Sequence, residues 1–275
     1  MRHLLETALA AADAAAQVHG RWAGRIRTEE AAEKTTNSDF VSQVDLEAQE
    51  AALSRIRAAF PDHQILAEEE DGEGRVVDRT DTGRPTWVVD PLDGTTNFLH
   101  GHPAYASSVG VVVGDEPLAG AVVAAATRER WWAARGLGSF RNGDRIRVSR
   151  TDRLQHALVG TGFPFKALDQ LPRYLQQFGQ VLETTSGVRR GGSAALDLCY
   201  LAQGSLDAFW ELELSPWDIA AGLIILQEAG GCFRRIEAPG MDLLHKGSVL
   251  AANSPRLQEE LRIRLASGGE TEAPP

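Results

Sequence analysis

The sequence predicts a mixed α/β fold, an α+β first part followed by an α/β second part, and three observations carry the prediction. Two amphipathic helical patterns open the chain, strand-like runs with a hairpin signal follow, and from about Arg150 shorter strands alternate with helices. The 275 residues allow roughly two domains. The change of pattern places the division at 1–149 and 150–275.

The first helix rests on Leu4, Leu5, Ala8, Leu9, Ala12, Ala15 and Ala16, apolar residues at spacings of three and four. Glu6 and Asp13 interrupt the stretch, so it does not read as the apolar core of a signal peptide. Thr28 to Gln43 is polar and without period, which predicts an exposed loop. A second helix opens on a capping box of Ser42 with Asp45, takes its apolar face from Leu46, Leu53, Ile56 and Phe60, and stops at Pro61. Asp71 to Pro85, rich in glycine and charge, predicts another loop. Pro85 to Asp90, Ser107 to Val113 and Ala119 to Ala126 predict strands of one sheet, and Asn142-Gly143 marks a hairpin.

In the second part Ala157 to Gly162 reads as a strand and Leu171 to Leu182 as a helix. Ser193 to Ala202 reads as a helix opened by Gly191 and Gly192, and Asp207 to Glu213 as a strand. Trp217 to Ala229 reads as a helix closed by Gly230 and Gly231. The final ASGGETEAPP reads as a frayed tail.

Composition excludes several classes. Hydrophobic residues at 43% and charged residues at 24% are those of a globular chain and not of a disordered one. A formal net charge of -10 argues against nucleic-acid binding driven by phosphate contacts. No segment approaches the eighteen or so unbroken apolar residues of a membrane span. Cys199 and Cys232 have neither metal-like nor redox-like spacing, and a reducing, cytoplasmic setting fits them.

The most informative stretch is Trp87-Val88-Val89-Asp90-Pro91-Leu92-Asp93-Gly94-Thr95-Thr96-Asn97-Phe98. Asp90 would close an apolar strand, Pro91 forces an extended turn, and Gly94 permits a tight bend after Asp93. Two carboxylates then converge at the carboxyl end of a strand, where open α/β sheets bind ligands. Gly94, Thr95 and Thr96 would begin the next element with backbone N–H groups free to receive a phosphate oxygen. Hard oxygen ligands beside an anion site suggest Mg²⁺. Aspartate also builds turns, so D-P-x-D-G-T taken alone leaves a plain turn open.

DPLDGTTNF and Trp217-Asp218-Ile219-Ala220-Ala221-Gly222 resemble the two signatures of the inositol monophosphatase family, Mg²⁺-dependent and lithium-sensitive phosphomonoesterases. Glu68-Glu69 in QILAEEE and Gly192-Ser193-Ala194-Ala195 occur in the order that family shows, so the resemblance spans about Lys34 to Gly231. It implies a layered α-β-α-β-α sandwich, a homodimer, and two or three Mg²⁺ ions. The implied metal ligands are Glu68, Asp90, Asp93, Asp218 and the carbonyl of Leu92. Thr95, with Asp45 and Asp93, is implied as catalytic, Thr95 orienting the attacking water and Asp45 bonded to Thr95. Glu68, Leu92, Asp93, Gly94, Thr95, Gly192, Ser193, Ala194, Glu211 and Asp218 are implied as substrate contacts. The loop around Lys34 and Asp39 matches a mobile loop that helps hold a third ion near Glu68. The chemistry is consistent, because four carboxylates in one pocket repel unless divalent cations neutralise them.

Plainer readings stand beside these. Thr95 is a candidate N-cap, and Asp218 is favoured at a helix start by the dipole alone. Glu69 and Glu70 read as a solvated charge run, and Arg189 and Arg190, which could meet phosphate charge, read more plainly as a solvated or salt-bridged pair. His100 and His102 lack a third metal ligand. Trp131, Trp132 and Trp210 read as core or interface, and Gly136-Leu137-Gly138 is not a dinucleotide fingerprint.

The resemblance implies hydrolysis of a small polyol phosphate such as myo-inositol 1-phosphate, without a covalent intermediate. The same metal site serves relatives acting on histidinol phosphate, fructose 1,6-bisphosphate or 3′-phosphoadenosine 5′-phosphate. A dehalogenase-type phosphatase with Asp90 as nucleophile fits less well, because that chemistry spaces its aspartates two apart and these are three apart. A third reading is a regulatory binding protein that keeps the fold, a role some bacterial relatives have in transcription.

Overall fold

The computed structural model describes residues 1–25, 32–33, 40–41, 43–69, 83–237 and 243–266. Helix α1 (Arg2–Trp22) leads to the paired short strands β1 (Ala32–Glu33) and β2 (Phe40–Val41) and to helix α2 (Gln43–Ala59). Strands β3 (Gln64–Ala67) and β4 (Thr86–Asp93) and the short helix α3 (Thr95–Leu99) follow. Then come β5 (Ala106–Val113), β6 (Glu116–Ala124), β7 (Glu129–Ala134), β8 (Gly138–Arg141) and β9 (Asp144–Arg145). The remainder is β10 (Leu158–Thr161), α4 (Leu171–Thr184), β11 (Gly187–Arg189), α5 (Ala194–Ala202) and β12 (Ala208–Leu214), then α6 (Pro216–Glu228), β13 (Cys232–Arg235), β14 (Gly247–Ala252) and α7 (Pro255–Ala266).

Strands β3 to β9 form a seven-stranded sheet in chain order, parallel only between β3 and β4. The other sheet has the order β11-β10-β12-β14-β13, with β10 parallel to both its neighbours and β14 antiparallel to β12 and β13.

Side-chain alternation along the strands builds three cores. Trp87 and Val89 of β4 point to α1 and α2, while Val88 between them points to α5 and α6. Phe209 of β12 packs on the same α5 and α6 layer, and its neighbours Ala208 and Trp210 pack against α4 and α7. The order of layers is therefore helices, sheet, helices, sheet, helices, the sandwich that the resemblance implied. Buried Ala8, Ala11, Ala12 and Ala15 of α1 meet buried Ala48 and Ala52 of α2. Small contact residues let the two helices lie close over the sheet. At β5 and β6 the approach is closer still. A Cβ on Gly110 would lie 2.8 Å from the Ala221 amide nitrogen, and one on Gly120 would lie 2.7 Å from the Ala221 Cα.

Local signals translate well where they are local. Asn142 (φ 50) and Gly143 (φ 98) both sit in the left-handed region between β8 and β9, as a two-residue hairpin turn requires. Gly230, at φ 95, closes α6, its N–H reaching the Gln227 carbonyl while that of Gly231 reaches Leu226. The expected face of α2 is corrected. Leu46 is 49% exposed, because Val44, Asp45, Ala48 and Ala52 turn inward and place it on the opposite side. Ser42, most of the predicted Asp71 to Pro85 loop and the final tail lie outside the described residues.

Candidate active site

Strand β4 does not end at Asp90 as the sequence suggested; it continues to Asp93 through a break in register, with Asp90 opposite Ser108 and Asp93 opposite Ala106. Residues three apart on a regular strand face opposite ways, and one extra residue in the strand restores them to the same side. The Asp90 Oδ1 accepts the Leu92 N–H at 2.9 Å and holds the bulge. Gly94 follows at φ +90, and a Cβ there would come within 2.8 Å of the Ala104 carbonyl. Helix α3 can start at Thr95 only because this position is glycine.

Asp218 arrives from the other half at the start of α6. It is the acidic member of a capping box, its Oδ2 accepting the Ser215 N–H at 2.7 Å. Capping and convergence coexist, since one carboxylate oxygen each of Asp90, Asp93 and Asp218 lie within 4.8 Å of one another. Glu68 follows β3, its amide bonded to the Val89 carbonyl at 3.1 Å, and its carboxylate faces Lys166 Nζ at 3.4 Å.

Burial and mutual repulsion shift these groups together. Asp90 is raised well above its ordinary value, chiefly by burial and then by the charges of Glu68, Asp93 and Asp218. Burial raises Asp93 to about 6 even though Ser193 and Ala195 donate to it, and burial with the Asp93 and Glu68 charges raises Asp218 to about 8. Such a set of hard oxygen donors, strained by its own charge, fits a divalent cation.

Thr95 is bracketed by two acceptors, Asp45 Oδ1 at 3.1 Å and the Leu92 carbonyl at 3.0 Å. Asp45 is 1% exposed and sits behind the cavity. Asp93 Oδ2 accepts both the Ser193 hydroxyl at 2.6 Å and the Ala195 amide at 2.8 Å, tying β4 to the start of α5.

Glu68, Asp90, Leu92, Asp93, Gly94, Thr95, Gly192, Ala194, Glu211 and Asp218 all line one cavity of about 300 Å³. Ser193, expected beside them as a substrate contact, does not line it; the residue is 2% exposed and its hydroxyl is spent on Asp93 and on the Leu196 amide. Lys34 and Asp39 lie outside the described residues. Glu69 is buried, its backbone clasped in both directions by the Gln49 side chain, so it does not belong to a solvated charge run. Burial raises Glu211 well above its ordinary value. Its carboxylate occupies space that only a glycine at 162 leaves, since a Cβ there would lie 1.9 Å from Oε1. Glu213 also lines the cavity, on a bulge at φ 60, and pairs with Lys246 at 3.7 Å.

The sequence reading missed several residues around the site. Asn97 Nδ2 reaches the Ala104 carbonyl at 2.7 Å and the Gly191 carbonyl at 3.0 Å, fastening α3 to the glycine loop before α5. His19 of α1 is fully buried with Nε2 2.8 Å from the Pro91 carbonyl. Burial lowers its pKa to about 4, so the ring is neutral and donates through Nε2, a carbonyl being only an acceptor. Phe163, Phe165 and Lys166, also missed, form one wall of the cavity together with Arg190, which the sequence reading had named. Only the asparagine lay inside a motif the sequence displayed.

The model of the inositol monophosphatase family matches residues 1–268. The chain belongs to the inositol monophosphatase family. It is similar to a fructose-1,6-bisphosphatase/inositol-1-monophosphatase of Aquifex aeolicus, at 41% identity over 87% of this chain and 88% of that one. It is also similar to the Nus factor SuhB of Pseudomonas aeruginosa, at 39% identity over 92% and 93% of the two chains. Among solved structures, the inositol monophosphatase of Anabaena superposes with a TM-score of 0.83 at 34% identity, over 97% of this chain and 96% of that one. As a member of the inositol monophosphatase family the chain is a phosphatase, from a family that depends on metal, and it carries the carboxylate cluster described above. Among the described residues no helix is long and apolar enough to cross a membrane.

Proposed function

We propose that the protein hydrolyses the phosphate monoester of a small polyol, myo-inositol 1-phosphate first among them, with Mg²⁺ held by Glu68, Asp90, Asp93, Asp218 and the Leu92 carbonyl. The observation that carries the reading is the meeting of three carboxylates within 4.8 Å beside Thr95, in a cavity that also presents Glu211. Bound there in two or three copies, Mg²⁺ supplies Lewis acidity for the phosphate and lowers the pKa of water near it.

The chain's own groups do the rest. The Thr95 hydroxyl proton is directed at Asp45 or the Leu92 carbonyl, so its oxygen lone pairs face the cavity and accept a hydrogen bond from the attacking water. Asp45 keeps that hydroxyl in one orientation. The amides of Gly94, Thr95 and Thr96 at the α3 start face the phosphate oxygens. Glu211 accepts from substrate hydroxyls, and Gly192 and Ala194 bound the space for the ring. Attack in line on phosphorus then needs no covalent enzyme intermediate. A homodimer belongs to the same reading, and exposed Leu168, Leu171, Leu175 and Leu182 supply apolar surface for it.

Phosphate release from myo-inositol 1-phosphate, histidinol phosphate, fructose 1,6-bisphosphate and 3′-phosphoadenosine 5′-phosphate tests the reading. Release that needs Mg²⁺, stops in EDTA and falls with Li⁺ is the expected result, with inositol 1-phosphate preferred. No release from any of the four would put the regulatory-protein reading ahead.

Metal-free stability supplies a second test. The folded carboxylates hold protons that unfolded ones, at an ordinary 3.8, release, with Asp93 raised to about 6 and Asp218 to about 8. Their contribution is therefore fully present below about pH 4 and is lost as pH rises toward about 8. Mg²⁺ takes the place of those protons, so its gain in Tm grows between pH 5 and pH 8. At a hundredfold excess over Kd the gain is about 2.7 kcal/mol, roughly 5 to 10 °C for a chain of this size. Melting curves with and without Mg²⁺ that show a larger gain at pH 5 than at pH 8 would contradict the assignment.

A further inference from the structure

Arg190, which the sequence offered as a group that could meet phosphate charge or as half of a solvated or salt-bridged pair, is exposed, yet its guanidinium rests on neighbouring side chains. Its guanidinium lies 5.1 Å from the ring centre of Phe163 and 5.1 Å from that of Phe165, and those two rings meet edge to face at 5.7 Å. Beneath it lies Gly192 at φ +88, where a Cβ would come within 2.6 Å of Nη1. Three surfaces thus fix the side chain on the wall of the cavity that holds the carboxylate cluster. Among the described residues it has no hydrogen-bond or ion-pair partner. Burial raises Asp197 and Glu211 well above their ordinary values, the charge of Arg190 only opposes that rise, and neither carboxylate pairs with it.

A guanidinium held by aromatic faces keeps its planar fork of N–H donors uncommitted, and that fork matches a phosphate or carboxylate in two parallel hydrogen bonds. Because the side chain is already ordered, little further rotamer entropy is lost when an anion binds it. Among the described residues nothing consumes this capacity. Lys166, the other cation of the wall, is engaged by Glu68.

We infer that Arg190 is a specificity-determining residue that receives a second anionic group of the substrate, so that the cavity takes phosphate esters carrying a further phosphate or carboxylate. The inference rests on the phosphatase reading and adds to it: beside myo-inositol 1-phosphate, the cavity accepts doubly anionic phosphate esters, and Arg190 sets how well. Phe163 and Phe165 present the guanidinium, and Gly192 leaves it room.

Two substrate pairs that differ only in the second anion test it, with Mg²⁺ present. Fructose 1,6-bisphosphate against fructose 1-phosphate probes a phosphate, and 2-phosphoglycerate against glycerol 2-phosphate probes a carboxylate. The native protein prefers the doubly anionic member of at least one pair. In Arg190→Gln the ratio of kcat/KM within that pair falls at least tenfold, carried by KM and not by kcat. Arg190→Lys, which keeps the charge and loses the fork, gives an intermediate ratio. Equal loss on both members, or an unchanged ratio in both pairs, overturns the inference while leaving the phosphatase reading intact. No phosphate release from any of the four by a native protein that releases it from myo-inositol 1-phosphate overturns the inference alone, and no release from myo-inositol 1-phosphate either would sink the phosphatase reading itself. Circular dichroism of each variant separates a lost contact from a lost fold.

Discussion

Asp90→Asn is expected to remove Mg²⁺-dependent phosphate release by at least roughly a thousandfold in kcat/KM, the factor that about 4 kcal/mol of lost transition-state stabilisation makes. Asp90 lies with Asp93 and Asp218 in one cluster, so its loss takes one of the three carboxylates from it. Folding should survive. The asparagine carbonyl still accepts the Leu92 N–H that Asp90 Oδ1 now accepts, so the bulge in β4 keeps its internal bond. In EDTA at pH 8 the variant should melt no lower than the native protein, because a buried charge repelled by Glu68, Asp93 and Asp218 has been taken away. The measurement pairs phosphate release with melting curves. Near-normal turnover with retained fold would defeat the placement of the metal at this residue.

Thr95→Ala is expected to act on a different quantity. Its side chain is bonded to Asp45 and Leu92 and not to the three clustered carboxylates, so the Mg²⁺ concentration for half-maximal activity should hold while kcat falls roughly a hundredfold or more. Thr95→Ser keeps the hydroxyl and should retain most of the rate. A change confined to KM would make Thr95 a binding group and remove it from the water-orienting role.

Elements set by neighbours in sequence were readable from sequence. Asn142-Gly143 and Gly230-Gly231 gave their turn and helix end because the conformation each needs is one those residues supply. The carboxylates of the site were readable for a related reason, since Asp90, Asp93 and Asp218 sit in compact runs whose spacing persists in the fold. What escaped depends on pairing at a distance. Arg190 is the exposed charge the sequence suggested, but the rings that hold it come from the Phe163 loop, which only the pairing of β10 with β11 brings beside it. Glu69 looks solvated until Gln49, twenty residues back, clasps its backbone. Leu46 fitted a helical stripe, but its neighbours Val44 and Asp45 turn to the core, and one helix cannot face two ways. Helix α7 and strands β13 and β14 carried no signal that the sequence reading used.

The bonds of Asp93 to Ser193 and Ala195 give the site a property visible without substrate. The Ala195 amide is buried, and its acceptor belongs to a strand 102 residues earlier. Its exchange with deuterated solvent therefore requires that the seven-stranded sheet and α5 part company, and not merely that a loop frays. That single proton reports on the joining of the two parts of the chain. Its protection factor tells, before any turnover is measured, how often the pocket comes apart at its seam.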